Sequence, residues 1–304
     1  MTNIVTPART SLYVVLARRA PLGVIFRRGP SRQVLLLTWN TDTHELRSGQ
    51  WFKGRIYERR CDLSPSGEKL IYFAAKHRPP YYSWTVVSRP PYLTALAMWP
   101  KGDAWGGGGS FQSERIIRLN HRAGERDLAE GFRLPKAITL ADRDVWSGRG
   151  EDNPIFEERL KRDGWTLSQA GEHRENKFGS KVWFDFPQPR AYARVRGRWR
   201  LETQRVGVHE RDGPWYILHH RVTDLEGREV LSFGRSDWAD WSRSGEILLA
   251  RDGRLYRCKV DSRRGPDEPE ELMDLRSLRF EPVIAPPEAG AWSGRAPRGK
   301  KVIQ

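Results

Sequence analysis

The chain has 304 residues, 38% hydrophobic and 30% charged, enough apolar content for a folded core and too much for a disordered chain. Its formal net charge is +15, and its two cysteines, Cys61 and Cys258, are too few for a disulfide framework or a cysteine-based zinc site. The apolar residues are rich in aromatics, with 13 Trp against 3 Met, a balance that favours strands over helices.

From the start, short β-branched runs follow one another, separated by Pro, Gly or Arg: Ser11–Ala17, Gly23–Arg27 and Val34–Trp39. The first run is cut short by Arg18-Arg19. That is too brief for a signal-peptide core or a membrane span, so a soluble cytoplasmic protein with no membrane partner is expected. An extended loop and strand over Gly49–Arg60 lead to Asp62-Leu-Ser-Pro-Ser-Gly-Glu68, a polar turn that feeds a strand over Lys69–Ala75. Trp84–Ser88 reads as a strand bracketed by Pro79-Pro80 and Pro90-Pro91, because proline cannot donate to a ladder. Leu93–Trp99 and Phe111–Leu119 follow. The Gly106–Gly109 run between them lacks the Lys-Ser/Thr of a phosphate loop and reads as a flexible crossing.

Near Arg122 the aromatics thin out and charges of both signs mix until about Glu175. Asn153-Pro154 opens a short amphipathic helix that Gly164 ends, so 122–175 reads as a charged, partly helical insertion. Strands resume at Lys181–Phe186, Arg190–Val195, Trp215–Val222 and Glu229–Phe233. Asp240-Trp-Ser-Arg-Ser-Gly-Glu246 then repeats the earlier turn without a gap and leads to Ile247–Ala250. Asp252-Gly253, a strong hairpin signal, joins that strand to Leu255–Val260.

The two turns resemble the WD40-like repeats of TolB-type β-propellers of bacterial type. Leu63-Ser-Pro-Ser-Gly-Glu68 is the nearer match, Trp241-Ser-Arg-Ser-Gly-Glu246 lacks the Pro, and Ala97-Met-Trp-Pro-Lys-Gly-Asp103 is a degenerate third copy. The resemblance implies an all-β fold, a β-propeller of about five to six blades at roughly 40–45 residues each. On this reading residues 1–121 hold the first blades, 122–175 the insertion, 176–280 the remaining blades and 281–304 a basic tail. Asp62, Glu68, Asp240 and Glu246 would be turn-formers.

No catalytic signature stands out. The seven histidines form no metal-binding pattern, and His219-His220 in a strand would point to opposite faces, so no metal and no cofactor are expected. Asp185, Asp237 and Asp240 lie near strand ends and could serve a propeller hydrolase or lyase with acids at its central mouth. No GxSxG elbow accompanies them. The basic residues are more informative, although an Arg-rich composition also suits a GC-rich bacterial genome. Residues 1–60 carry eleven Lys or Arg against three Asp or Glu. Lys53, Arg55, Arg59 and Arg60 surround Trp51, and Arg18, Arg19, Arg27 and Arg28 form a further basic group. Arg194, Arg196, Arg198 and Arg200 alternate with other residues. In a straight strand they would form a phosphate-tracking ladder, whereas a turn at Gly197 would split them into two pairs, which the flanking aromatic runs favour. The expected function is a non-catalytic scaffold presenting this basic, aromatic surface to a protein partner in a larger complex. Nucleic-acid or polyanion binding is the alternative.

Overall fold

The structure is a computed structural model, and it describes residues 9–30 and 32–292. The fold is all-β, built from antiparallel meanders. The chain condenses into two compact units: one takes its start up to Tyr13 and residues 160–278, the other residues 14–159 and the segment from Arg279 on.

β1 (Ser11–Leu16), β2 (Leu22–Arg28), β3 (Gln33–Asn40) and β4 (Leu46–Lys53) form a sheet in chain order, and the last three of these strands lie in the second unit. β2 and β3 read VIF and VLLL because both their faces are covered; residues 24–26 and 34–37 are all buried. Next come β5 (Arg55–Ile56), a 3-10 turn (Glu58–Arg60) and β6 (Asp62–Leu63). They pair in succession along β7 (Leu70–Ala75), which continues through β8 (Ser83–Ser88) to β9 (Ala95–Lys101). β10 (Gly109–Phe111), β11 (Ile116–Leu119) and the parallel β12 (Thr139–Leu140) make a smaller sheet. Ile71, Val87, Trp99, Phe111 and Ile117 pack together as a core cluster of this unit.

The helix expected after Asn153-Pro154 is present as α1 (Ile155–Arg162). Within the 122–175 segment expected as an insertion, residues 139–140 and 166–175 pair into sheets. β13 (Thr166–Gln169) and β14 (Glu172–Glu175) both pair with the long β15 (Val182–Arg196), so residues 166–175 belong to the sheet itself. β16 (Trp199–Glu210), β17 (Tyr216–Asp224) and β18 (Glu229–Arg235) complete that sheet. β15 merges the two runs expected at 181–186 and 190–195 across an irregularity between Asp185 and Arg190. β19 (Trp238–Trp241), β20 (Ile247–Arg251) and β21 (Arg254–Cys258) follow, then the small hairpin of β22 (Val260–Asp261) and β23 (Gly265–Pro266). β24 (Glu270–Asp274) closes on β21. Trp165, Trp199, Leu201, Trp241 and Leu249 centre the first unit's core. Cys61 and Cys258 are free, buried thiols; burial raises both, that of Cys258 to about 12. Of the expected basic tail, residues 293–304 lie outside the described residues.

The two repeated turns fold alike. In the first, the Ser64 hydroxyl accepts from Lys69 N–H at 3.2 Å and Gly67 N–H donates to Ser64 O at 2.8 Å. In the second, the Ser242 hydroxyl accepts from Glu246 N–H at 3.0 Å and Gly245 N–H donates to Ser242 O at 3.3 Å. The second turn is one residue tighter: Leu63 faces Leu70, but Trp241 faces Ile247. The aspartates that open the motif are not turn-formers. Buried Asp62 accepts from Phe111 N–H at 2.8 Å, fastening β10 to β6, and Asp240 holds the Arg194 guanidinium at 2.6 Å.

Both turn glycines have positive φ, +80° at Gly67 and +98° at Gly245, but their surroundings differ. A Cβ on Gly67 would lie 2.6 Å from Leu22 Cδ2, inside packed core, whereas one on Gly245 would meet the Arg196 side chain at 3.2 Å. We expect Gly67→Ala to cost about 2 kcal/mol and Gly245→Ala about 1 kcal/mol, measured as the shift in urea midpoint. Equal losses would mean that the left-handed backbone alone sets the cost.

Candidate binding surfaces

The basic residues singled out around Trp51 part company in the fold. Trp51 is half-buried, with the Arg27 guanidinium 5.5 Å from its ring and Phe280 at 6.0 Å. Lys53 is exposed, its ammonium 4.3 Å from the Phe280 ring. Arg55 lies over Tyr57 at 4.8 Å. Arg59 and Arg60 are corrections to the sequence reading: both are buried, because the 3-10 turn at 58–60 points them inward. Arg59 packs over Phe156 at 4.4 Å. Arg60 donates to Ala104 O and Gly106 O, each at 2.6 Å, and pairs with Asp152 at 3.2 Å. The Gly106–Gly109 crossing is correspondingly not loose. Gly107 N–H donates to Asn120 O at 2.7 Å, Asn120 N–H donates to Gly108 O at 2.9 Å, and all four glycines are buried. Of the further basic group, Arg27 is buried, and desolvation lowers its pKa to about 10; Arg28 pairs with Glu58 at 2.8 Å.

The arginine ladder is broken by a two-residue hairpin. Gly197 has φ +59°, and Arg196 faces Trp199 across the turn. Arg194 is held by Asp240, Arg196 donates to Ser242 O at 2.7 Å, and Arg200 donates to Leu225 O at 3.3 Å. These three brace backbone and neighbouring strands, while Arg198 stays exposed at the hairpin tip.

The carboxylates considered for hydrolysis are each engaged separately. Asp185 accepts from Asn176 at 2.7 Å, Asp240 is paired as above, and Asp237 accepts from Leu12 N–H at 3.2 Å. His121 is a structural histidine whose pKa burial lowers to about 4. Its Nδ1–H donates to Glu125 O at 2.8 Å, so Nε2 accepts from the Thr85 hydroxyl at 2.7 Å, and Thr85 Oγ1 in turn accepts from Gly108 N–H. His219 is half-buried and His220 buried, consistent with opposite faces of β17. Among the described residues no group of three or more His, Cys, Asp or Glu is placed to hold a metal ion.

Two surfaces stand out instead. The first, in the second unit, is a cleft of ≈ 360 Å³ lined by Arg32, Gln33, Lys53, Gly54, Lys76 and Arg78. Sequence reasoning found Lys53 and missed the other cations, since only strand register brings the β2–β3 tip, the β4–β5 link and the β7–β8 hairpin together. The second surface, in the first unit, is a row of rings along β14–β17. Trp215 and His209 stack at 4.8 Å, His209 lies 5.4 Å from Trp183, Trp183 stacks on Phe184 at 5.3 Å, and Phe184 lies 5.7 Å from His173. Trp183 is 47% exposed, and Phe178, at the tip between β14 and β15, is fully exposed. Lys177 and Lys181 flank that tip, and Arg211 donates to Gly179 O within it. These rings were legible as aromatics; the strands that align them, β14 and β16, were not.

No family model matches the chain, and no curated protein matches it. Among solved structures it is similar to an uncharacterized protein of Listeria monocytogenes EGD-e at 10% identity and a TM-score of 0.28. That match covers 92% of this chain and 87% of the other. It is also similar to a structure from a study of two prolyl endopeptidases, at 10% identity and a TM-score of 0.27, covering 89% of this chain and 43% of that one. Among the described residues no helix is long and apolar enough to cross a membrane.

Proposed function

We propose that the chain is a non-catalytic scaffold of the WD40-like β-propeller kind, and that it docks a protein partner. Support for the propeller reading comes from consecutive antiparallel meanders, two of which open with the same Ser-x-Ser-Gly-Glu turn. The observation that carries the docking reading is the pairing of a ring row that exposes Trp183 with the fully exposed Phe178 on the neighbouring β14–β15 tip. Large aromatics on a strand framework contribute contact area at little entropic cost, and Trp, Tyr and Arg dominate binding hot spots. Lys177, Lys181 and Arg174 beside the rings suit a partner face that is apolar at its centre and acidic at its rim.

The test is affinity purification from native cells with and without nuclease, using the wild type, a Phe178→Ser/Trp183→Ser variant and an Arg198→Ser control. A stoichiometric protein that survives nuclease, is retained by the control and falls about tenfold or more with the double variant is expected. Loss of the partner on nuclease treatment would favour nucleic-acid binding instead, and equal capture by the double variant would overturn the docking surface.

A further inference from the structure

The basic cleft of the second unit carries an inference independent of the docking surface. Four cations line it, Arg32, Lys53, Lys76 and Arg78, and no carboxylate does. Among the described residues none of the four takes part in an ion pair, whereas Arg28, Arg60, Arg194 and Arg235 each hold a carboxylate. Arg55 follows Gly54 directly and also has no ion pair; its Nε is buried with no hydrogen-bond partner.

These charges are not held together by chance contacts of long side chains. Gln33 faces Lys53 across β3 and β4, and Gly54 N–H donates to Arg32 O at 2.8 Å. Arg55 faces Ala75 across β5 and β7, which places Lys76 and the hairpin beyond it alongside. Lys76 and His77 N–H both donate to Tyr82 O, at 3.1 and 3.0 Å, closing that hairpin. Backbone hydrogen bonds thus fix three cation-bearing segments around one hollow, where like charges repel and an anion would relieve them.

The aromatic faces at the cleft indicate what the anion is not. Lys53 covers Phe280 at 4.3 Å, Lys76 lies 5.7 Å from the Phe52 ring, and Trp84 meets Phe52 edge-on at 6.0 Å. Those faces are occupied by the chain's own side chains, and the exposed rings of the β7–β8 hairpin, Tyr81 and Tyr82, are not among the residues that line the cleft. The volume is that of a small-molecule site, at the low end of the ~300–1,000 Å³ typical of such pockets.

We propose that this cleft binds an oligophosphate group, two or more linked phosphates, as found in inorganic triphosphate or the tail of a nucleoside triphosphate. The cleft reads the phosphates and not the base. Calorimetric titration of the full chain with inorganic triphosphate, ATP and a single-stranded RNA oligonucleotide tests it. We expect one site for triphosphate, with ATP bound within about threefold of it, and an affinity that falls at least tenfold between about 50 and about 200 mM salt. Lys76→Glu/Arg78→Glu, both on an exposed hairpin, should lose at least tenfold, while Arg198→Glu in the other unit should bind as the wild type does. Absence of binding at low salt, equal binding by the Lys76/Arg78 variant, or tight RNA binding that triphosphate cannot displace would each overturn the proposal. None of these outcomes bears on the Phe178 and Trp183 surface, so the two readings fail separately.

Discussion

Arg60→Met is expected to destabilise the second unit by about 3–5 kcal/mol, the cost of breaking a buried pair from one side. Arg60 is only 3% exposed, yet it is fully employed. Its guanidinium pairs with Asp152, donates to Ala104 O and Gly106 O, and lies 4.4 Å from the Tyr57 ring and 5.4 Å from Phe73. Methionine would fill much of the space and restore none of the three polar links, leaving two carbonyls and a carboxylate to seek water in a closed site. The damage should spread along the glycine crossing, which presses against Arg60 itself: a Cβ on Gly108 would lie 2.1 Å from Arg60 O. Arg55→Met provides the contrast. Arg55 is partly buried over Tyr57 and, among the described residues, has no ion pair, so its loss should stay within about 1 kcal/mol. Urea denaturation of both variants decides. An Arg60→Met loss no larger than that of Arg55→Met would show that the buried guanidinium is a passive filler.

This contrast also shows where sequence reading stops. Arg59 and Arg60 follow Tyr57 in a basic, aromatic stretch that looks like a surface, and composition cannot separate a cation facing water from one facing carbonyls. The direction is set by a three-residue 3-10 turn at 58–60, too short to leave a periodic signal. The buried strands were readable because their apolar runs are continuous: β7, Leu-Ile-Tyr-Phe-Ala-Ala, is buried at every position. Strands such as β14 (Glu-His-Arg-Glu) and β24 (Glu-Glu-Leu-Met-Asp) were not, since backbone pairing to β15 and β21 makes them strands while their side chains stay largely in solvent. The same limit hid the cleft. Lys53 could be singled out as a cation beside an aromatic, but Arg32, Lys76 and Arg78 join it only through register.

Asp237→Asn is expected to stabilise the first unit at pH 8 and to leave it nearly unchanged near pH 4. Asp237 stands just before β19, where its Oδ2 accepts from Leu12 N–H at 3.2 Å and so fastens the start of the chain onto this unit. Burial raises its pKa to about 7; the Leu12 N–H bond opposes the rise, Asp252 adds to it, and Arg9 and Arg235 oppose it without cancelling it. Glu210 absorbs much of their charge, pairing with Arg9 at 3.3 Å and with Arg235. The folded-state pKa is therefore above that of the unfolded chain. Between about pH 4 and about pH 7 the folded form holds a proton that the unfolded form has released, so stability falls as pH rises through that window and the loss is complete above it. The shift corresponds to on the order of 4 kcal/mol. Asparagine keeps an oxygen for Leu12 N–H and has no charge to desolvate, so its advantage should grow from near zero at pH 4 to a few kcal/mol at pH 8. Asp237→Ala, which removes the acceptor, should lose stability at pH 4, where the native carboxyl is neutral and still bonded. Urea midpoints for the three proteins at both pH values separate the terms. An asparagine variant that is less stable than wild type at pH 8 would mean that Asp237 works as a carboxylate, with Arg9 and Arg235 outweighing its burial.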